Sequence, residues 1–168
     1  MPVVISSQRP IESPPLYAAA QAKQRPLPEL QNGDVLTRDE FERRYEAMPL
    51  VKKAELIEGV VYMPSPAGDA HSWSHAQIIG WLVAYCAATS GVRINDNATV
   101  RLDTDNETQP DALVRIAAGK RCQSRVGEDG YIEGAPELVV EVAHSSASYD
   151  RHVKLHVYRR NGVREYTH

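Results

Sequence analysis

The run Leu138-Val139-Val140-Glu141-Val142-Ala143 is nearly all apolar. Its β-branched residues read as a short strand buried on both faces. A polar turn from His144 to Ser148 follows, and then the period changes. Val153, Val157 and Arg160 fall at helical spacing, as do Leu155 and Tyr158, with Lys154 between the two sets. Gly162 stops this helix as a C′ glycine does. Earlier in the chain, Thr37-Arg38-Asp39-Glu40 is a capping box. The helix it starts buries Phe41, Tyr45 and Met48, and Pro49 ends it. Residues 55–63 read as one strand bent at Gly59, and 64–68 as a loop. A second helix is expected over 69–90, with Ile78, Leu82, Tyr85 and Cys86 as its stripe and Ile79 and Val83 widening it. Gly91 ends it. Strands are expected over 92–95, 98–102 and 109–116, and residues 117–134 read as a long charged loop. A last strand begins at Val163. The alternation predicts a mixed α/β domain with a single sheet flanked by helices.

Residues 1–36 hold prolines at 2, 10, 14, 15, 26 and 28 and little that could pack, so they read as an extended, flexible N-terminal arm. An arm docked on a partner subunit is the sharper alternative. The folded domain is expected over 37–168, and because a domain seldom ends in mid-strand, further residues are expected after His168. With 42% hydrophobic and 24% charged residues the composition is that of an ordinary globular domain, and no run approaches the length of a membrane span. The start lacks the basic and apolar segments of a signal peptide. Cys86 and Cys122 have neither disulfide-framework nor zinc-knuckle spacing, so reduced thiols and a cytoplasmic location are expected. A formal charge of −3 argues against a general nucleic-acid binder. It argues less against an enzyme on nucleic acid, because clustered catalytic acids lower the total.

Glu141 is the anomaly in the apolar strand. An ionised carboxylate there carries a large desolvation cost unless a metal, a cation or a hydrogen-bond network offsets it. Asp111 stands after Pro110 at the head of another strand, Glu55 opens the first strand, and Lys154 projects from the helix after Glu141. Two acids on neighbouring strands can share a hard cation such as Mg²⁺, and a nearby lysine can orient a water. This is equipment for metal-assisted hydrolysis of a phosphodiester. Blander readings stand beside it: Asp111 as a turn cap after proline, a Glu141–Lys154 salt bridge, and Glu55 as a surface charge. His71 and His75, and His152 and His156, are each four apart, and on a helix each pair faces one way, which suits zinc. Neither pair has the glutamate of a metalloprotease helix or an evident third ligand. Trp73 and Trp81 read as core or interface. Arg151, Arg159, Arg160 and Arg164 form a basic cluster that could contact phosphates or simply be solvated.

Taken together, Pro110-Asp111, the run from Glu137 through Glu141 to Val142, the stretch Asp150 to Tyr158 and Gly162 to Tyr166 resemble the Uma2 family of the PD-(D/E)XK nuclease superfamily, once grouped as a domain of unknown function. Glu55 to Gly59, the loop Met63 to Pro66 and His71 resemble its first half, so the likeness spans Thr37 to Tyr166. It implies a restriction-endonuclease-like αβββαβ core and a Mg²⁺-dependent endonuclease acting on DNA, with Mn²⁺ as a substitute. It implies Asp111 and Glu141 as metal ligands and Glu55 as a further acid of the site. The superfamily pattern places its lysine two residues after Glu141, where this chain has Ala143. In the family the lysine comes from the next helix, which here is Lys154. His71, Arg151 and Arg159 are the expected substrate contacts, and a homodimer is expected. A nuclease-fold binding module without catalysis and a zinc hydrolase built on the histidine pairs are the alternatives.

Overall fold

The computed structural model describes residues 27–117, 119, 121–142 and 148–168, with the side chains of 148–151 excepted. The first helix, α1 (Arg38–Glu46), starts as its capping box predicts: Glu40 N donates to Thr37 Oγ1 at 3.4 Å. Phe41 packs with Leu30, Ala54, Leu56 and Val61 beneath it. The expected bent strand is instead a hairpin, β1 (Glu55–Ile57) and β2 (Val60–Tyr62). Glu58 and Gly59 at its tip have φ of 53° and 73°. Two successive positive-φ residues make the tight reversal whose twist matches that of the strands it joins.

Next come α2 (Asp69–Ala88), β3 (Val92–Asp96), β4 (Val100–Arg101), β5 (Glu107–Thr108) and β6 (Ala112–Ile116). The expected charged loop contains a second hairpin, β7 (Arg125–Val126) and β8 (Ile132–Glu133). Two-residue strands carry no readable period, and only Gly127-Glu128-Asp129-Gly130 betrays their turn. Then follow β9 (Leu138–Val140), α3 (Ser148–Arg160) and β10 (Glu165–Thr167).

The single sheet expected from the sequence is two mixed sheets. One has the order β10-β9-β6-β3, the other β2-β1-β5-β4-β8-β7. Asn97, at φ 48°, turns the chain out of β3 before β4 forms, so β4 leaves the first sheet and pairs with β5 and β8. The expected αβββαβ core is α2, β3, β6, β9, α3 and β10 in chain order, built around the four-stranded sheet. Leu82 of α2 packs on one face of that sheet with Ala112, Val114 and Val140. Leu113, on the other face by strand alternation, meets Val100 and Ile132 of the second sheet.

Within α2, Ile78, Ile79 and Cys86 pack toward the sheet as the stripe predicted, but Tyr85 and Val83 do not. They point outward with Trp73 and Trp81, which are 67% and 65% exposed. In α3, Val157 and Tyr158 are buried and Leu155 is exposed.

Candidate active site

Two strands set the site. In the antiparallel β6–β9 ladder Ala112 faces Val140 and Leu113 faces Val139. One step beyond it, the same register sets Asp111 across from Glu141. Strand alternation turns both carboxylates to the sheet face opposite α2. The ladder brings acids thirty positions apart into one place. Asp111 Oδ2 accepts from Val142 N at 2.7 Å, which locks its orientation.

The second sheet supplies Glu55, at the head of β1 and buried, whose Oε1 accepts from Gln109 N at 2.8 Å. Helix α3 closes the third side. Lys154 Nζ lies 2.8 Å from Glu55 Oε2 and 3.0 Å from Glu141 Oε1. One turn on, the Tyr158 hydroxyl donates to the same Glu141 oxygen at 3.0 Å. Residues four apart share a helix face, so α3 reaches the site with both groups.

Two residues ahead of Glu55, Lys53 places its Nζ 3.0 Å from Asp111 Oδ1. From the start of α2, His71 Nε2 comes within 3.9 Å of that same oxygen. His75 Nε2 lies 2.9 Å from the Asp111 main-chain oxygen and 3.0 Å from Asp96 Oδ1. The two imidazoles stack with centroids 6.2 Å apart. Lys53, Glu55, His71, Asp111, Glu141 and Lys154 all line one cleft of about 1080 Å³.

The electrostatics follow from burial and from who shares whom. Burial pushes the Glu141 carboxyl up, and Glu55 adds to this by repulsion, while Lys154 opposes it. Burial works against the Lys154 charge, but Glu55 and Glu141 overcome it and hold the ammonium firmly protonated. Asp111 ends below its ordinary value, because Lys53 and the Val142 amide outweigh the burial that opposes them. Two acids sharing one lysine beside a third acid on its own lysine is the kind of crowding found at functional sites.

A profile of the Uma2 family, described as "Putative restriction endonuclease", matches residues 38–167. The chain belongs to the Uma2 family. Among solved structures it is similar to one from Anabaena variabilis ATCC 29413, described as "a putative nuclease belonging to DUF820". That likeness has a TM-score of 0.55 at 24% identity, covers 74% of this chain and 68% of that one, and shows the fold. No curated protein matches the chain significantly.

Against the Uma2 expectation, the fold brings Asp111, Glu141, Glu55, Lys154 and His71 into one cleft. Lys154 reaches Glu141 from the following helix, as the family resemblance implies; Ala143 lies outside the described residues. Arg159 is exposed and does not line the cleft, and the Arg151 side chain lies outside the described residues. Arg160 is engaged with Glu58 and Asp103. Sequence reasoning passed over Lys53, Tyr158 and the contact of His75 with Asp111. Lys53 had one available signal: in extended chain it lies on the same side as Glu55, two positions away.

Whether a metal fits is a question of donors. Asp111 and Glu141 present hard oxygen ligands across one strand pair. Among the described residues, no three His, Cys, Asp or Glu side chains form a ready-made metal-holding group. Two carboxylates, with the remaining positions left to water and a substrate phosphate, is how Mg²⁺ is ordinarily held, so the donor set fits it. A zinc site wants three or four converging protein ligands. His75 is committed to Asp96 and the Asp111 main chain, and His152 and His156 are exposed.

Proposed function

We propose that this Uma2 protein is an endonuclease that hydrolyses phosphodiester bonds of DNA, with Mg²⁺, or Mn²⁺ in its place, held by Asp111 and Glu141. The observation that supports it best is the register that faces Asp111 with Glu141 while Lys154 stands 3.0 Å from the latter. When bound, the cation would neutralise the scissile phosphate and acidify a water. Lys154 donates to the attacking water and to the phosphate oxygen on which charge grows. Glu55 holds Lys154 in place and offers a carboxylate to a second cation or to the water. His71, at the start of α2, contacts the phosphate from the other side of the cleft. The water oxygen bonds to phosphorus, a phosphorus–oxygen ester bond breaks, and the proton passes to the departing sugar oxygen through solvent.

Cleavage of supercoiled plasmid and of labelled oligonucleotides with Mg²⁺ or Mn²⁺ tests this reading, comparing the wild type with Asp111→Asn and Glu141→Gln. The expected outcome is wild-type cleavage that falls at least a hundredfold in either variant. Cleavage surviving both substitutions sinks the assignment. One observation favours a second reading, a binding module without catalysis: each acid already has an internal cation, Lys53 for Asp111 and Lys154 for Glu55 and Glu141. Lys154→Ala separates the two, since it abolishes cleavage in the first and leaves nucleic-acid binding near wild type in the second.

For the homodimer expected from the family, we propose the outward face of α2 as the contact between two copies. Asp69 is the only Asp, Glu, Lys or Arg among its twenty residues, and Trp73, Trp81, Val83 and Tyr85 stand exposed on it. Aromatic side chains bury about 150–250 Å² each. This face therefore supplies much of the roughly 800 Å² per partner that a stable interface needs.

A further inference from the structure

Lys53 has a place in the cleft that the proposed chemistry leaves unused. Its ammonium sits on Asp111 Oδ1 at 3.0 Å, while the other oxygen of Asp111 is held by the Val142 amide. Glu141 is arranged differently. Lys154 and Tyr158 both use its Oε1, and neither engages Oε2. Among the described residues no hydrogen bond or ion pair holds Oε2, so a divalent cation entering between the two acids meets a competitor on Asp111 and none on that Glu141 oxygen.

The two lysines are not equally bound. Lys154 is gripped by two carboxylates and its side chain is 12% exposed. Lys53 is gripped by one and is 24% exposed, with its flexible stem along the cleft wall. An ammonium held by one carboxylate and partly hydrated exchanges more readily than one held by two in a drier place. Lys53 is the lysine free to move.

We propose that Lys53 is a built-in counter-ion for Asp111, exchanged for the divalent cation: metal binding releases the Lys53 ammonium, which turns into the cleft and pairs with a substrate phosphate. Asp111 thus keeps a positive neighbour in both states, and the freed charge is delivered where the polyanion enters. The proposal rests on Asp111 being a metal ligand, and it goes beyond that reading by making lysine and metal rivals for one oxygen.

Calorimetric titration of Mn²⁺ into the full chain tests it without any turnover. Removing a cation from beside a carboxylate favours another cation by about tenfold or more. Lys53→Met should therefore bind Mn²⁺ about tenfold tighter than wild type, while its affinity for a short DNA duplex in saturating Ca²⁺ falls. Equal or weaker Mn²⁺ binding by Lys53→Met overturns the exchange and leaves the metal reading standing. No Mn²⁺ binding by either protein overturns both. A second measurement reads the wild type itself, with the charge-conserving variant Lys53→Arg used only for assignment. With ¹³C-lysine wild type, the Lys53 ε-methylene resonance, assigned from its loss in Lys53→Arg, should move toward the free-lysine position on metal addition. A Lys53 signal that stays in place while Mg²⁺ binds overturns the exchange.

Discussion

At the residue scale two clusters of buried charge stand out among the described residues, and one of them faces the cleft. The other surrounds Arg101. Arg101 Nε lies 2.8 Å from Glu42 Oε1 and 3.6 Å from Glu107 Oε2, and its guanidinium also binds Asp129 and covers the Tyr131 ring. Glu107 is 3% exposed and its Oε2 makes no hydrogen bond. Burial pushes its carboxyl up to about 8, with Glu42 adding to the effect and Arg101 and Arg38 opposing it. In the unfolded chain it titrates near 4.5. The fold therefore retains a proton that the unfolded chain releases, and this contribution is lost as pH rises from about 4.5 through 8. Glu107→Gln should gain stability relative to wild type across that window and level off above it, read as urea midpoints at pH 5 and pH 8.5. A constant difference between the two proteins would contradict the raised carboxyl. Nothing in the sequence marks Glu107, because its surroundings come from α1 and from the β7–β8 hairpin. Glu141 was legible for the opposite reason: its immediate neighbours are apolar, so its desolvation can be read locally.

At the element scale, long periodic segments were legible and short ones were not. The helices α1, α2 and α3 were legible as helices, since each spans at least nine residues, although Tyr85 and Val83 of α2 and Leu155 of α3 face outward rather than along the predicted stripes. The two hairpins were missed as pairs because strands of two or three residues have too few positions to alternate. The β7–β8 hairpin rests on particular glycines, Gly130 in its turn and Gly134 just after β8. Gly134 has φ of 86°, and a Cβ there would stand 2.6 Å from the Gln123 carbonyl. Gly130 has φ of 88° with open space around it. Gly134→Ala should lose about 2–3 kcal/mol and Gly130→Ala about 1 kcal/mol, because both are strained but only Gly134 must also move backbone. Urea denaturation of the two variants measures the difference, and equal losses would refute the close approach.

At the scale of the whole molecule, α2 presents one face to the sheet and an uncharged, tryptophan-bearing face outward. If two copies meet there, sedimentation equilibrium should show dimer at micromolar concentration and monomer for Trp73→Glu/Trp81→Glu; a wild type that stays monomeric at 100 micromolar counts against this contact. The sequence by itself determined the α/β class, the three helices, and Glu141 as an anomaly with Asp111, Glu55 and Lys154 as candidate partners, because amphipathic periods and an acid in an apolar strand are local facts; the αβββαβ core was implied by the Uma2 resemblance. Only the tertiary structure decided how many sheets there are, since strand pairing is a long-range choice that a positive-φ Asn97 redirects. It alone set the register that faces Asp111 with Glu141, the reach of α3 back to Glu55, and the place of Lys53 on Asp111. Each of these joins residues tens of positions apart, and side-chain type in one stretch carries no information about the oxygen it will meet in another.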